Sequence, residues 1–160
     1  MKNKGVLIAV FSLGLLGAIF AKMWFDVPSD QVLIEESLRE ATKNGKEGKP
    51  GGVLDYLAGG FKVGGMEPSS GDVSDFVRNQ KPEITILDPR PIIRGDMAEI
   101  VSTVEIRYGI GNIGTSQKVD NVRVTMRKES GLRYGIFPCP RWKIVEVSAK
   151  DASIGNPLGD

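Results

Sequence analysis

Acid–base chemistry in this chain would fall to carboxylates and phenols, because its 160 residues include no histidine. Residue type and position single out Tyr56, Asp88 and Glu146 as weak catalytic candidates. Tyr56 lies on a predicted short helix, and Asp88 ends a predicted strand just before a proline, where turn residues are common. A catalytic role would need a carboxylate buried among apolar side chains, so that its pKa is raised.

Glu146 has the sequence surroundings that fit this requirement best. It alternates with Trp142 and Ile144 along a predicted strand, so a regular strand would place it on their face. Val145 and Val147 occupy the other side of the same strand, and the pattern therefore leaves the face of Glu146 open.

Two other features could suggest chemistry but are better explained by structure. Residues 109–114 match the GxGxxG pattern of dinucleotide-binding loops, but an alternating strand follows them where that site needs a helix N-terminus. We expect a glycine-rich hairpin loop there and predict no cofactor and no metal site. Cys139 is the only cysteine and lies between two prolines. We favour a buried or shielded thiol over pairing with another chain.

The N-terminal 25 residues predict a membrane anchor. Lys2 and Lys4 precede an uncharged apolar run over residues 5–21, which as a helix would be about 25 Å long. Trp24 and Phe25 follow, as expected of aromatic rings at the lipid headgroups. We therefore expect a single span of the cell (inner) membrane with a cytoplasmic N-terminus and an extracytoplasmic C-terminal domain. Cleavage near Ala21, which would release a secreted protein, is the alternative.

The remaining chain has room for one domain, which we place at residues 26–150. Of 21 basic residues, 18 follow Phe25, against all 20 acidic ones, so this part carries a formal charge of −2. Nucleic acid is therefore not expected as a partner, because its recognition needs a cationic excess. Residues 151–160 show no periodicity and are expected to form a flexible tail.

Helical patterns come first in this domain and strand patterns follow. Apolar spacing and turn residues predict three helices, over 29–44, 52–58 and 70–81. Alternation after Pro82 predicts four strands, over 83–88, 96–108, 119–128 and 141–149. The predicted fold class is α+β, with an N-terminal transmembrane helix followed by three helices packed on a curved, mainly antiparallel sheet of about four strands.

This order resembles the nuclear transport factor 2-like superfamily, a cystatin-like α+β cone. Residues 32–61, VLIEESLREATKNGKEGKPGGVLDYLAGGF, resemble its opening helices, and Arg141-Trp142-Lys143-Ile144-Val145 resembles its last strand. The resemblance covers residues 29–149. It implies a cone that holds a small apolar ligand, or a sheet face that pairs with another protein. The implied pocket lining is Tyr56, Phe61, Phe76, Tyr108 and Trp142.

Three functions follow as expectations from this resemblance. The first is a non-catalytic, membrane-anchored binding or scaffolding domain with a small apolar ligand, a second copy or an envelope protein as partner. The second is a ketosteroid-isomerase-like isomerase or lyase, in which a buried aspartate base and a tyrosine or protonated acid would act inside the cone. The third is a structural component of an envelope or secretion complex, since the periplasmic assembly component of type IV secretion systems also places such a domain after one membrane helix.

Overall fold

The computed structural model describes residues 28–110, 113–133 and 137–149. Three helices confirm the predicted number: α1 (Asp30–Lys46), α2 (Pro50–Leu54) and α3 (Ser70–Gln80). Helix α1 buries one apolar stripe that includes Leu33, Ile34, Leu38 and Ala41. Helix α3 begins with a capping box, in which the Ser69 hydroxyl and the Asp72 carboxylate each accept a backbone N–H of the other residue.

The strands form one large mixed sheet and one small pair. They are β1 (Leu57–Val63), β2 (Glu83–Ile86), β3 (Ile92–Arg94), β4 (Met97–Ile110), β5 (Ile113–Glu129), β6 (Leu132–Arg133), β7 (Phe137–Pro138) and β8 (Arg141–Ala149). The large sheet has the order β1-β8-β5-β4-β2, with β3 also paired to β4. All pairs are antiparallel except β1 with β8. Strands β6 and β7 pair with each other.

The expectation of about four strands is therefore wrong, since the large sheet has six. One missed strand is β3, which has only three residues. The other is β1, part of which was predicted as the end of a helix over 52–58. Helix α2 ends at Leu54, and Leu57 begins the strand because β8 supplies its hydrogen-bonding partner.

The helices cover the inner face of the curved sheet, and the core lies between them. Its fully buried large side chains are Ile34, Ile100, Met126 and Trp142. No helix of the described chain covers the outer face, which carries Val101 and alternating charged residues. This arrangement confirms an α+β fold with helices on one side of a curved sheet.

Two β-bulges change which residues face the core. Between Ser102 and Val104 of β4, strand β5 has one extra residue, and Asn121 there adopts φ +56°. In β8 the extra residue is Val145, because Ile144 pairs with Met126 while the next pair joins β5 to Glu146. Each bulge shifts the inward set of its strand by one position.

Both predicted terminal segments, the anchor over residues 1–25 and the flexible tail over 151–160, lie outside the described residues. Within the described ranges, no helix has the length and apolar character needed to span a bilayer.

Candidate functional site

The centre of the predicted pocket is filled by the core. Trp142, one of the five predicted lining residues, is fully buried and packs with Met126 and Ile100 on the inner face. A well-packed interior of this kind leaves no room for a ligand at that depth. The other four lining residues lie to either side of this filled centre.

Tyr56 and Phe61 lie at the β1 side of the sheet. Both are half-buried and pack against the core, and the carbonyl of Tyr56 accepts the backbone N–H of Ile144 at 2.8 Å. Burial raises the pKa of the Tyr56 phenol, and the negative charges of Glu40 and Glu36 raise it further. The phenol is therefore held in its neutral form.

Phe76 and Tyr108 lie at the other side and contact each other. Phe76 comes from α3 and Tyr108 from β4, with ring centroids 6.2 Å apart in an edge-to-face arrangement of 75°. Both rings are half-buried, and burial raises the pKa of Tyr108. Strands β8 and β5 separate β4 from β1, so this pair is about 14 Å across the sheet from Tyr56. The predicted lining thus divides into two separate groups.

The two carboxylate candidates both lie outside the core. The side chain of Asp88 is 61% exposed and forms an ion pair with Arg90 at 2.9 Å, while its backbone N–H donates to the Ser102 hydroxyl. Glu146 lies on the outer face, opposite Thr125 of β5, because the bulge at Val145 shifts it there. Among the residues that the structure describes, no Asp or Glu is fully buried. Asp88 follows β2, three strands from Glu146, so the two are not brought together.

A polar contact that the sequence did not reveal joins the start of α1 to β5 and β8. The Asp30 carboxylate accepts the indole N–H of Trp142 at 3.1 Å and binds the Lys128 ammonium at 2.9 Å. The Lys128 hydrogen bond lowers the pKa of Asp30, and the Trp142 hydrogen bond adds to this effect. The local sequence places Asp30 only within the predicted helix over 29–44, because partners 98 and 112 residues away leave no local signal.

The outer face of the sheet combines exposed apolar side chains with paired charges. Met97 and Val101 of β4 are 41% and 49% exposed. Next to them, Arg123 of β5 pairs with Glu99 at 3.2 Å. Further along, Glu129 accepts from Arg127 at 2.8 Å and pairs with Lys143 at 3.6 Å. The outer face thus carries paired charges of both signs, with the exposed apolar side chains of Met97 and Val101 among them.

A shallow groove of about 100 Å³ lies where β3 meets β4 and is lined by Ile92, Arg94, Met97, Ala98 and Glu99. It is smaller than the roughly 300 Å³ of typical small-molecule sites. Within the described ranges, no three His, Cys, Asp or Glu side chains are grouped to hold a metal ion. Cys139 is a free, buried thiol.

Comparison with known proteins shows the fold. No protein-family model and no curated protein matches the chain. Among solved structures, the CaMKII hub of S. rosetta superposes with a TM-score of 0.56 at 13% identity, covering 76% of this chain and 95% of that one. A nuclear transport factor 2-like protein with a cystatin-like fold from Novosphingobium aromaticivorans gives 0.53 at 15% identity, covering 97% and 95%. A putative ketosteroid isomerase from Shewanella frigidimarina gives 0.50 at 16%, covering 72% and 93%.

These similarities establish that the chain has the nuclear transport factor 2-like, cystatin-like fold, as the sequence resemblance implied. At identities below one fifth they do not transfer an activity, since this fold serves many functions.

Proposed function

We propose that this chain is a membrane-anchored, extracytoplasmic scaffolding domain that is non-catalytic and binds a protein through the outer face of its sheet. The contrast between the two faces of the sheet carries the proposal. On the inner face, Trp142 and Met126 are fully buried and fill the cone. On the outer face, Val101 and Met97 remain substantially exposed with no described helix over them. Exposed apolar residues grouped within a polar rim are typical of protein interfaces.

A second copy of the chain is the partner that this face fits best. Glu99 and Arg123 alternate in sign around Val101, so the face presents both charges at close spacing. In a two-fold contact the same patch occurs on both sides, and a face of mixed charge can then complement itself. One structural neighbour is named as a hub, which supports an assembly role by analogy of fold. An envelope protein is the alternative partner.

The membrane part of the proposal rests on the sequence of residues 1–25. The apolar run over residues 5–21 and the aromatic pair Trp24 and Phe25 support a single span of the inner membrane. Intact mass distinguishes the two forms, because a chain cleaved near Ala21 would lack the span and be secreted.

Native mass spectrometry of the full-length chain in detergent micelles tests the scaffold. We expect a dimer that Val101→Glu converts to monomer, since burying the new carboxylate in the contact would cost its desolvation even beside Arg123. Val32→Glu is the matched control, because Val32 on α1 is also 49% exposed. A monomeric unmodified chain, or equal effects of the two substitutions, would refute a self-association through this face.

A small apolar ligand remains the second candidate, favoured by the half-buried Phe76 and Tyr108 pair. The same spectra address it: extra mass that denaturation removes, and that Phe76→Ala abolishes, would indicate a ligand bound beside this pair. The isomerase alternative is less well supported, because Asp88 is exposed and Glu146 lies on the outer face of the sheet, away from the cone.

A further inference from the structure

Strand β3 is exposed on both of its faces. Among the described strands it pairs only with β4, and Ile92 and Ile93 are 58% and 37% exposed. Because neighbouring side chains of a strand point to opposite sides, these two isoleucines protrude from the two faces of the sheet edge. Arg94 follows them and is exposed as well. A flat protein interface would cover only one of these faces, whereas a lipid headgroup layer can surround a protruding edge.

The β3 edge lies at the same end of the domain as the start of α1. The turn that joins β3 to β4 contains Asp96, whose carbonyl accepts the backbone N–H of Lys128 at 2.8 Å. The Lys128 side chain in turn binds the carboxylate of Asp30. Asp30 is the first residue of α1, so these two contacts join the start of the helix to the β3–β4 turn through one residue.

The length of chain before Asp30 limits how far this end can lie from the predicted anchor. Phe25, the last aromatic residue of the anchor, is five residues before Asp30. Even a fully extended chain of that length spans only about 17 Å. Since Lys128 and Trp142 hold Asp30 to the sheet, this end of the domain must stay close to the bilayer surface if the anchor is inserted.

We propose that the β3 edge docks on the surface of the membrane from which the chain emerges. Ile92 and Ile93 enter the headgroup layer from the two sides of the strand, and Arg94 binds lipid phosphates. This inference rests on the anchor in the proposed function, and it leaves Val101 free for a protein partner.

Met66 provides a matched control at the other end of the domain. It is 62% exposed and pairs with Val63, which lies next to Val147 near the end of β8. Lys128 instead pairs with Trp142 near the start of β8. On the neighbouring strand β5 the partners of Trp142 and Val147 are Lys128 and Val124, four residues apart, so these positions are separated by about 13 Å along the sheet. Met66 is therefore an exposed apolar residue that the docked edge would keep away from lipid.

The test uses the full-length chain in nanodiscs of phosphatidylcholine and phosphatidylglycerol. Ile92→Cys, Ile93→Cys and Met66→Cys variants carry an environment-sensitive nitrobenzoxadiazole label, and lipids with a shallow doxyl group quench labels in the headgroup layer. The unmodified chain, whose Cys139 is buried, measures background labelling. We expect labels at positions 92 and 93 to lose most of their fluorescence and the label at 66 to keep it.

Three results would overturn the docking. If lipid does not quench the labels at 92 and 93 while the chain resists extraction at alkaline pH, the docking is rejected and the anchor is retained. Labels shielded from aqueous iodide but not quenched by lipid would mean that a protein, including a second copy, covers β3. Release of the chain by alkaline carbonate would reject the anchor itself, and the docking with it.

Discussion

Replacing Asp30 should destabilise the domain far more than replacing an ordinary surface carboxylate. In Asp30→Ala the buried Trp142 indole N–H loses the carboxylate oxygen that accepts its hydrogen bond, at a cost of about 1 to 3 kcal/mol. The pair with Lys128, whose side chain is 29% exposed against 31% for Asp30, adds about 0.5 to 1 kcal/mol. Loss of a negative charge at the start of α1 adds about 0.3 to 1 kcal/mol. Together these contributions lower the free energy of unfolding by about 2 to 4 kcal/mol. This is less than their largest sum, because the three interactions share one side chain and are not additive.

This loss should appear as a fall in Tm of about 8 to 16 °C for a domain of this size. Circular dichroism of the full-length chain in detergent measures it. Asp30→Asn keeps an oxygen acceptor for the indole and should cost about half as much. Asp75→Ala is the control, because Asp75 is 71% exposed and pairs with Arg78 at 3.3 Å, so it should cost less than about 0.5 kcal/mol.

The same contact predicts a pH dependence of defined sign. The Lys128 hydrogen bond lowers the pKa of Asp30 in the folded chain below its ordinary value of about 3.9. The stabilisation is therefore fully present above that value and is lost as the pH falls through the lowered pKa of the folded state. The stability difference between the unmodified chain and Asp30→Asn should shrink on acidification below about pH 4. A difference that stays constant with pH, or Asp30→Ala within about 0.5 kcal/mol of the unmodified chain, would refute the reasoning.

Two further stability measurements probe the local structure around the core. Gly131→Ala should lower the free energy of unfolding by about 1 to 3 kcal/mol, because the new Cβ would lie 2.7 Å from Cγ of Arg141. Gly59→Ala is the control and should be near neutral, because its Cβ would have open space. Equal losses for the two variants in chemical denaturation would contradict this reasoning. Ser69→Ala should lower the free energy of unfolding by about 1 kcal/mol, because it removes the capping box of α3. Hydrogen bonds from Ser69 lower the pKa of Asp72, so this pKa should rise toward its ordinary value in a nuclear magnetic resonance titration of the variant. An unchanged pKa would show that the capping box does not form in solution.

Sequence patterns predicted most of the fold because its long elements bury one regular face. In α1, Ile34 and Leu38 recur at helical spacing, and in β4 Ala98 and Ile100 alternate, so local periodicity carries the information. Strand β1 was not predicted, because its two glycines resemble a helix end and because its strand conformation depends on pairing with β8, which is far away in sequence.

The candidate site was less predictable, because single-residue β-bulges decide which of its side chains face the core. An ideal strand would place Glu146 with Trp142 and Ile144, but the bulge at Val145 moves it to the outer face and brings Val147 inward instead. The residue types at positions 144–147 do not predict that bulge. All five proposed lining residues are partly or fully buried, but Trp142 is packed within the core, where the sequence pattern gives no sign of whether a cavity remains.

The place of β8 between β1 and β5 also sets the order in which the chain can fold during synthesis. Leu57 of β1 pairs with Ile144, 87 residues later, so β1 has no partner until almost the whole domain has been made. At about 5 to 20 residues per second this wait lasts roughly 4 to 17 s. An unpaired strand is prone to pair wrongly during such an interval. Gly59 and Gly60, the latter at φ +74°, make β1 irregular, and its pairing with β8 shifts register across them. The same irregularity that makes β1 hard to predict from sequence should disfavour its pairing with other strands before β8 has been made.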